Sequence, residues 1–309
     1  MRNKLSWFAV PYVVWMAVIV VIPILIMVVY AFTAGESGGG GLQITTENFT
    51  GMSVYASVFL RSFRLALIAT LICLLIGYPV SYWMAHEGPG FQRVAMALIM
   101  LPMWMNFLLR TYSWMSILEN NGLLNQLFQN IGVIALYNRI APFFVDIRNV
   151  FAAHFGGVQT TFVPIEHFQM INTSGAVVLG MVYNYLPFMI LPIYSVIVKL
   201  DHSLLEAARD LGADSRLVFR KVIFPLSLPG VLSGVTMVFV PSVSTFAISR
   251  LLGGGTQMML GDLIEQQFLG GAYDPHLGAA ISMVMMVIVV VCMVVMNHFG
   301  EGEEQAVIL

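Results

Sequence analysis

Charged residues are concentrated in one polar stretch that lies between two strongly apolar runs of the chain. Within 23 residues, five of the fourteen basic residues alternate with four acidic residues: Lys199, Asp201, Glu206, Arg209, Asp210, Asp214, Arg216, Arg220 and Lys221. Charges of both signs at this density can form ion pairs with a complementary protein surface. The alternative is an ordinary solvated loop between two membrane spans.

The first half of this stretch has the pattern of a short helix. Ser203 followed three residues later by Glu206 is a capping box, which predicts that a helix begins at Ser203. Apolar side chains then recur at helical spacing: Leu204, Leu205, Ala208 and Leu211. Gly212 suits the left-handed position just after a helix end.

A second short helix is predicted directly after this glycine. Asp214 or Ser215 can cap its first turn, and Pro225 is expected to end it, because proline lacks an N–H donor and restricts the residue before it. We call residues 199–225, with their helix–glycine–helix pattern, the elbow. An elbow this polar between apolar runs is typical of a surface that another protein binds.

The composition places the elbow in a polytopic membrane protein. Of 309 residues, 59% are hydrophobic and only 10% are charged, and the mean hydropathy is +0.85; soluble domains are about 25% charged. A net charge of -2 argues against a nucleic-acid partner. Cys73 and Cys292 lie in separate apolar runs, so neither a disulfide nor a metal framework is predicted.

Six apolar runs are long enough to cross about 30 Å of hydrocarbon, which predicts an all-α membrane protein with one domain, residues 1–309. The runs are residues 8–32, 63–85, 94–115, 175–198, 226–248 and 277–296. Basic residues in short loops orient the spans. Arg2, Lys4 and Arg93, together with the elbow, place both termini and the elbow in the cytoplasm.

Two segments are then expected outside the membrane. Residues 116–174 form a long periplasmic insert, in which we expect short helices that either bind a periplasmic partner or serve no partner at all; its part 131–173 has no assigned role. His154 and His167 lack a second pair of ligands, so no metal site is predicted there. In the last outer loop, Asp262 and Glu265 would share a helix face that contacts a cation or only solvent.

Glycine-rich runs occur in two outer loops, at residues 38–41 and 253–255, and the first is expected to be flexible. Neither run is followed by the Gly-Lys-Ser/Thr sequence of a phosphate-binding loop. No cofactor is predicted, and any ATPase must be a separate chain.

The spans carry no Asp, Glu or Lys well away from their ends, while Arg64, Arg110 and Lys199 are expected to extend to the interface. Proton-coupled carriers keep ionisable groups near the middle of the membrane, and intramembrane hydrolases need a set of catalytic side chains there. Neither class of protein is therefore favoured. Neutral side chains could line a path or only join helices. The candidates that we select are Trp104, Tyr183, Asn184, Tyr185 and Ser244, whose aromatic members could hold a cation or form an interfacial belt.

The elbow resembles the EAA loop of ABC-importer permeases. The resemblance rests on Glu206-Ala207-Ala208, on Gly212, and on Val222-x-Phe224-Pro225, in which Val and Phe stand where Ile and Leu are usual. It implies that Glu206, Ala207, Ala208, Arg209, Gly212, Arg216 and Pro225 couple the chain to an ATPase subunit.

Further motifs resemble the B-type subunit of spermidine/putrescine-type ABC permeases over nearly the whole chain. They are residues 108–114 (LLRTYSW), 121–125 (NGLLN), 186–194 (LPFMILPIY) and 228–230 (LPG). The resemblance implies the type I importer permease fold, in which this chain pairs with a C-type permease. An ABC ATPase dimer binds in the cytoplasm, and a periplasmic protein delivers polyamine. The same group includes importers of metal ions, oxyanions and opines, and an ATP-independent carrier is the other alternative.

Overall fold

The computed structural model describes residues 10–34, 43–155, 158, 160–271 and 273–304. The regular secondary structure of these residues is helical apart from one isolated bridge between Thr33 and Ile44. The glycine run at residues 38–41, Arg2 and Lys4 lie outside the described residues. The helices are α1 (Val10–Ala31), α2 (Glu47–Gly51), a 3-10 turn (Met52–Tyr55), α3 (Ala56–His86), α4 (Pro89–Trp104), α5 (Phe107–Leu118), α6 (Leu123–Asn130), α7 (Val133–Phe155), α8 (Ser174–Ile197), α9 (His202–Asp210), α10 (Ser215–Ser244), α11 (Ala247–Gly253), α12 (Leu260–Leu269) and α13 (Pro275–Glu304).

Five of the described helices, α1, α3, α8, α10 and α13, are long and apolar enough to cross a membrane, and the number is six if the bent pair of α4 and α5–α6 counts as one span. The third predicted span, residues 94–115, is not one straight helix: α4 and α5–α6 meet at an angle of 90°. The side chain of Asn106 causes a new helix to begin there, because its Oδ1 accepts from Leu108 N–H at 2.8 Å. The sequence prediction missed this N-cap.

The core of the bundle is formed by α3, α8 and α10, which pack against one another more extensively than any other described helices. Gly230 and Gly234 lie one turn apart on α10 and face α8. A Cβ atom on Gly230 would lie 2.9 Å from the carbonyl oxygen of Pro192, and one on Gly234 would lie 2.8 Å from Met189 Sδ. This pair of glycines allows the close helix contact that small residues provide in membranes.

The fifth span begins earlier than predicted, and Pro225 does not end a helix. The helix α10 is continuous from Ser215 to Ser244, with a π-helical turn at Phe219–Ile223 directly before the proline. Proline stands in the first turn after this change of hydrogen-bond register, where its missing N–H is tolerated. The second elbow helix and the fifth span are therefore one continuous helical rod.

The insert contains one short helix, α6, and one long helix, α7, of 23 residues. The expectation of short helices only was wrong for α7. Its backbone is held by the returning chain at residues 160–168, through side chains that hydrogen-bond to that segment. Proline at position 142 does not interrupt α7.

Candidate functional site

The elbow forms a short capped helix, as predicted, but its cap differs from the prediction. The helix α9 begins at His202, and its N-cap is Asp201, whose Oδ1 accepts from Ser203 N–H at 2.9 Å. Ser203 therefore contributes its backbone N–H as a donor to the cap, and its side chain is not the capping group. A carboxylate at this position also interacts favourably with the partial positive charge of the helix N-terminus.

The turn after α9 has the geometry that the sequence predicts. Gly212 has φ +84°, the left-handed region that glycine occupies without strain. Its N–H donates to Arg209 O at 2.8 Å, and Ala213 N–H donates to Ala208 O at 3.1 Å. Asp214, rather than Ser215, then caps α10 by accepting from Leu217 N–H at 2.9 Å.

The elbow presents unpaired charges and a bare apolar tip. Glu206, Arg209 and Arg216 are exposed, and they form no ion pair within the described part of the chain. Ala207 and Gly212 are exposed as well, whereas Ala208 and Pro225 are half-buried. Leu211, at the end of α9, is 90% exposed. Free charges around a protruding leucine are suited to docking against another protein.

The elbow is joined directly to the core. Its two ends continue into α8 and α10, and a cavity of about 300 Å³ separates α9 from the turn between α3 and α4. Its lining includes His86, Glu87, Gln92 and Leu205, so both of the predicted cytoplasmic loops lie at the same end of the bundle. A movement of the elbow would therefore be transmitted to two core helices.

The candidate path residues lie on several helices. Trp104 projects from the end of α4 and is 84% exposed. Tyr183 packs edge-on against Trp114, with ring centroids 5.3 Å apart, and not against Trp104. The Tyr185 hydroxyl lies 3.5 Å from the carbonyl oxygen of Pro241 and thereby joins α8 to α10.

The two small polar candidates bond within their own helices. Asn184 is buried and donates from Nδ2 to Gly180 O at 2.8 Å. Ser244 donates to Val240 O at 3.2 Å, at the end of α10. These contacts stay within one helix and do not join two helices, and the Oδ1 atom of Asn184 has no hydrogen-bond partner among the described residues.

The two acidic candidates do not share a solvated face, which corrects that prediction. Asp262 is only 6% exposed, and its Oδ2 accepts from Met259 N–H at 3.0 Å to cap α12. Glu265 is partly exposed and accepts from Arg250 at 2.7 Å through both oxygens. Glu265 is thus neutralised by Arg250, and Asp262 stabilises the start of a helix.

Burial raises the pKa of the Asp262 carboxyl, and Glu265 adds to this, while the Ser249 hydroxyl, Met259 N–H and Arg250 oppose it. The folded chain therefore binds this proton more tightly than the unfolded chain, and stability falls as pH rises above the ordinary Asp pKa. Asp262→Asn keeps an acceptor for Met259 N–H but does not titrate. We therefore expect the stability of this variant to rise relative to that of the native chain as the pH rises to neutral. Thermal unfolding midpoints in detergent across this pH range measure the difference. Parallel curves for the two proteins would contradict it.

Arg110 is buried, at 8% exposure, and does not extend to the membrane interface as its position near a span end had indicated. Its Nε and Nη1 have no acceptor among the described residues. The bend between α4 and α5 explains the difference, because it turns the start of α5 against α8 and α11 instead of continuing outward. Sequence periodicity alone does not reveal such a bend.

Comparison with known proteins places this geometry in a family. Residues 77–301 match the model of the binding-protein-dependent transport system inner membrane component family. The spermidine/putrescine transport system permease protein PotB of Haemophilus influenzae is 36% identical over 89% of this chain and 86% of its own length. The protein of the same name from Escherichia coli is 34% identical over 89% and 90%.

Solved structures show the same fold at low sequence identity. A chain of a bacterial ABC transporter that imports alginate is 15% identical, with a TM-score of 0.69 over 97% of this chain and 96% of that chain. A chain of the MetNI methionine ABC transporter is 16% identical, with a TM-score of 0.53 over 82% and 97%. The chain belongs to the inner membrane components of binding-protein-dependent transport systems, and it is a multi-pass transport subunit rather than an enzyme.

Proposed function

We propose that this chain is the B-type permease subunit of an ATP-driven importer for polyamines of the spermidine and putrescine class. The observation that carries the proposal is the elbow, where Glu206, Arg209 and Arg216 form no ion pair among the described residues and Leu211 is exposed, at the junction of two core helices. The polyamine assignment is supported by the names of relatives that match over 89% of the chain.

In this proposal, the elbow receives the motion of a cytoplasmic ABC ATPase dimer. Ala207, Ala208 and Gly212 allow close approach, while Glu206, Arg209 and Arg216 form ion pairs with the ATPase. Pro225 lies in the rod that continues into the fifth span, so a push on the elbow rotates α10 against α8. Because these two helices belong to the core, the rotation opens and closes the path.

The proposed path is neutral and aromatic, which suits a conduit for a cation that another protein selects. Trp104, Tyr183 and Tyr185 offer ring faces that attract ammonium groups weakly, and Asn184 and Ser244 offer oxygen atoms. Asp262 and Glu265 contribute little free charge, because one is buried as a cap and the other is paired with Arg250. Weak binding of the cation by these side chains permits its rapid release from the path.

We propose that both termini and the elbow (residues 199–225) lie in the cytoplasm of a bacterial cell, and that the insert (residues 116–174) lies on the periplasmic side. The positions of basic residues in short loops support this orientation. It leaves the outer ends of α5, α11 and α12 to receive solute from a periplasmic binding protein. A C-type permease completes the path as the second membrane subunit.

The proposal is tested by purifying the tagged chain from its native membrane in a gentle detergent and identifying the proteins that co-purify. We expect an ABC ATPase and a second six-span permease. The purified assembly is then reconstituted with its binding protein, and ATP hydrolysis is measured with spermidine, putrescine, a divalent metal ion and an oxyanion. Stimulation by the polyamines alone is the expected result.

Two experimental outcomes would change the proposed function. Stimulation by the metal ion or the oxyanion, without a response to polyamines, would retain the ABC permease and replace its solute. Transport by the chain alone, without ATP and without any ATPase in the preparation, would refute the importer and favour a carrier.

A further inference from the structure

The long helix of the insert, α7, carries an uncovered apolar face. Large apolar side chains recur every three or four residues along it and are all exposed: Leu136, Ile140, Phe143, Phe144, Ile147 and Phe151. The two phenylalanines at the centre are 64% and 63% exposed. At about 100° per residue these positions fall within one side of the helix. We call this set of six residues the apolar arc.

The returning chain covers part of the opposite side of α7, around Asn138 and Asn149, although this is the polar side. Asn138 donates to Ile165 O at 2.8 Å and accepts from Ile165 N–H at 2.9 Å. Asn149 forms the same pair of bonds with Thr160, at 2.8 and 2.9 Å. The returning chain is thus fixed on the polar side, and the apolar arc is left bare. Water would favour the reverse arrangement, because exposed apolar area is unfavourable.

A groove with an apolar lining lies along the arc. Its volume is about 440 Å³, and its lining includes Leu136, Tyr137, Ile140, Phe144 and Phe168. None of the described residues that line the groove is charged. Its lining therefore matches a hydrocarbon chain rather than a polar ligand.

Arginine side chains border the arc on both sides. At about 100° per residue, Arg139 lies at one edge of the arc and Arg148 at the other, and both are exposed. Arg148 also donates from Nη2 to the hydroxyl of Thr160 in the returning chain. Long basic side chains at the edges of an apolar helix face can bury their stems and reach phosphate groups. The charge pattern therefore fits a surface of lipid headgroups above acyl chains.

The position of α7 in the chain brings it to such a surface. The insert follows the bent span α4–α5 and ends where α8 enters the membrane, so both of its ends are tied to spans. Three charged residues, Arg139, Asp146 and Arg148, exclude α7 from the helices apolar enough to cross. A helix of 23 residues is about 35 Å long. It is too charged to cross a bilayer and too apolar to stand in water.

We propose that α7 is an interfacial helix, whose apolar arc is buried among the acyl chains at the membrane surface and whose Arg139 binds lipid phosphate. The returning chain, residues 160–168, then faces the water and is the part of the insert open to a soluble partner. The side of the membrane on which α7 lies follows from the orientation proposed above. The contact of α7 with lipid does not depend on which solute the importer carries.

The test is spin-label accessibility in the complete assembly, reconstituted into phosphatidylethanolamine–phosphatidylglycerol vesicles. Cys73 and Cys292 are first replaced by alanine, and single cysteines are then labelled at four exposed positions of α7. Phe144→Cys and Phe151→Cys report on the arc. Ala135→Cys and Ala153→Cys lie about 180° away on the same helix and are matched controls.

We expect the ratio of collisions with oxygen to collisions with a water-soluble nickel chelate to be severalfold higher at the two arc positions than at the two controls. Equal and high nickel collisions at all four positions would place α7 in water and overturn the proposal. Protection of the arc from both reagents would overturn it as well, since the arc would then be covered by a protein. Polyamine-stimulated ATP hydrolysis by the labelled variants is a separate measurement. Its loss would not change the interpretation of the collision ratios at the four positions.

Discussion

Replacing Gly212 by aspartate is expected to reduce solute uptake to background while the chain still inserts into the membrane at normal levels. Gly212 is exposed and has φ +84°, and a Cβ there meets no atom within 4 Å. The substitution therefore causes no clash, but it strains the turn by roughly 1–2 kcal/mol and adds a charge where we place the ATPase contact. Uptake of labelled spermidine by cells, normalised to the amount of chain in the membrane, measures the effect.

The matched control is Gly132→Asp, between α6 and α7. Gly132 has φ +82° and is equally free of neighbours, so the substitution imposes the same local strain far from the elbow. We expect it to retain most of the uptake. Equal loss in both variants would show that strain, and not the elbow, is responsible.

Charge reversal at Glu206 tests the same surface without backbone strain. Glu206 is exposed and forms no ion pair within the described residues, so Glu206→Lys is expected to change the stability of the chain by less than about 0.5 kcal/mol. We expect uptake to be lost nonetheless, together with co-purification of the ATPase. Normal uptake by both Glu206→Lys and Gly212→Asp would refute the coupling role of the elbow.

Replacing Gly230 by valine is expected to have the largest effect on the fold. A Cβ at this position would lie 2.9 Å from Pro192 O and 3.1 Å from Ile193 Cα, and both are backbone atoms that cannot rotate away. The valine must push α10 from α8, and overpacking of this kind costs about 1–3 kcal/mol or more. The thermal midpoint and the monodisperse fraction after size-exclusion chromatography in detergent should both fall.

Gly90→Val in α4 is the control for this substitution. Gly90 is also in a helix, but a Cβ there meets nothing within 4 Å. Valine has a slightly higher helix propensity than glycine, by a few tenths of a kcal/mol, and this small gain is the same in both variants, so only Gly230→Val should lower the midpoint. A similar fall in both would attribute the effect to the valine side chain itself and not to the contact between α10 and α8.

Local features of the elbow could be predicted from the sequence because they depend on neighbours in the chain. The positive φ of Gly212 and the cap at Asp214 follow from residue types within one turn. Asp201 and Ser203 are both good capping residues, and spacing to Glu206 favoured the wrong one. The choice depends on where the preceding span α8 ends, which is decided by packing of that span.

The environments of Arg110 and Asp262 could not be predicted in this way. Sequence position placed the arginine at a span end and the carboxylate in an outer loop, and both inferences imply exposure. In the structure, the 90° bend before α5 and the packing of α12 on α3 and α13 bury both side chains. Their surroundings come from residues far apart in the chain, so no local pattern records them.

Apolar run length and the elbow motif are local properties, so the sequence alone identifies a helical membrane protein and predicts a permease whose elbow couples it to an ATPase. Which polar side chains are paired can be read only from the folded chain. Among the described residues, Glu206 and Arg209 form no ion pair and Glu265 pairs with Arg250, while the polar side of α7 bonds to the returning chain and its apolar arc is exposed. Pairing and burial depend on which distant segments meet, and only the folded chain brings those segments together.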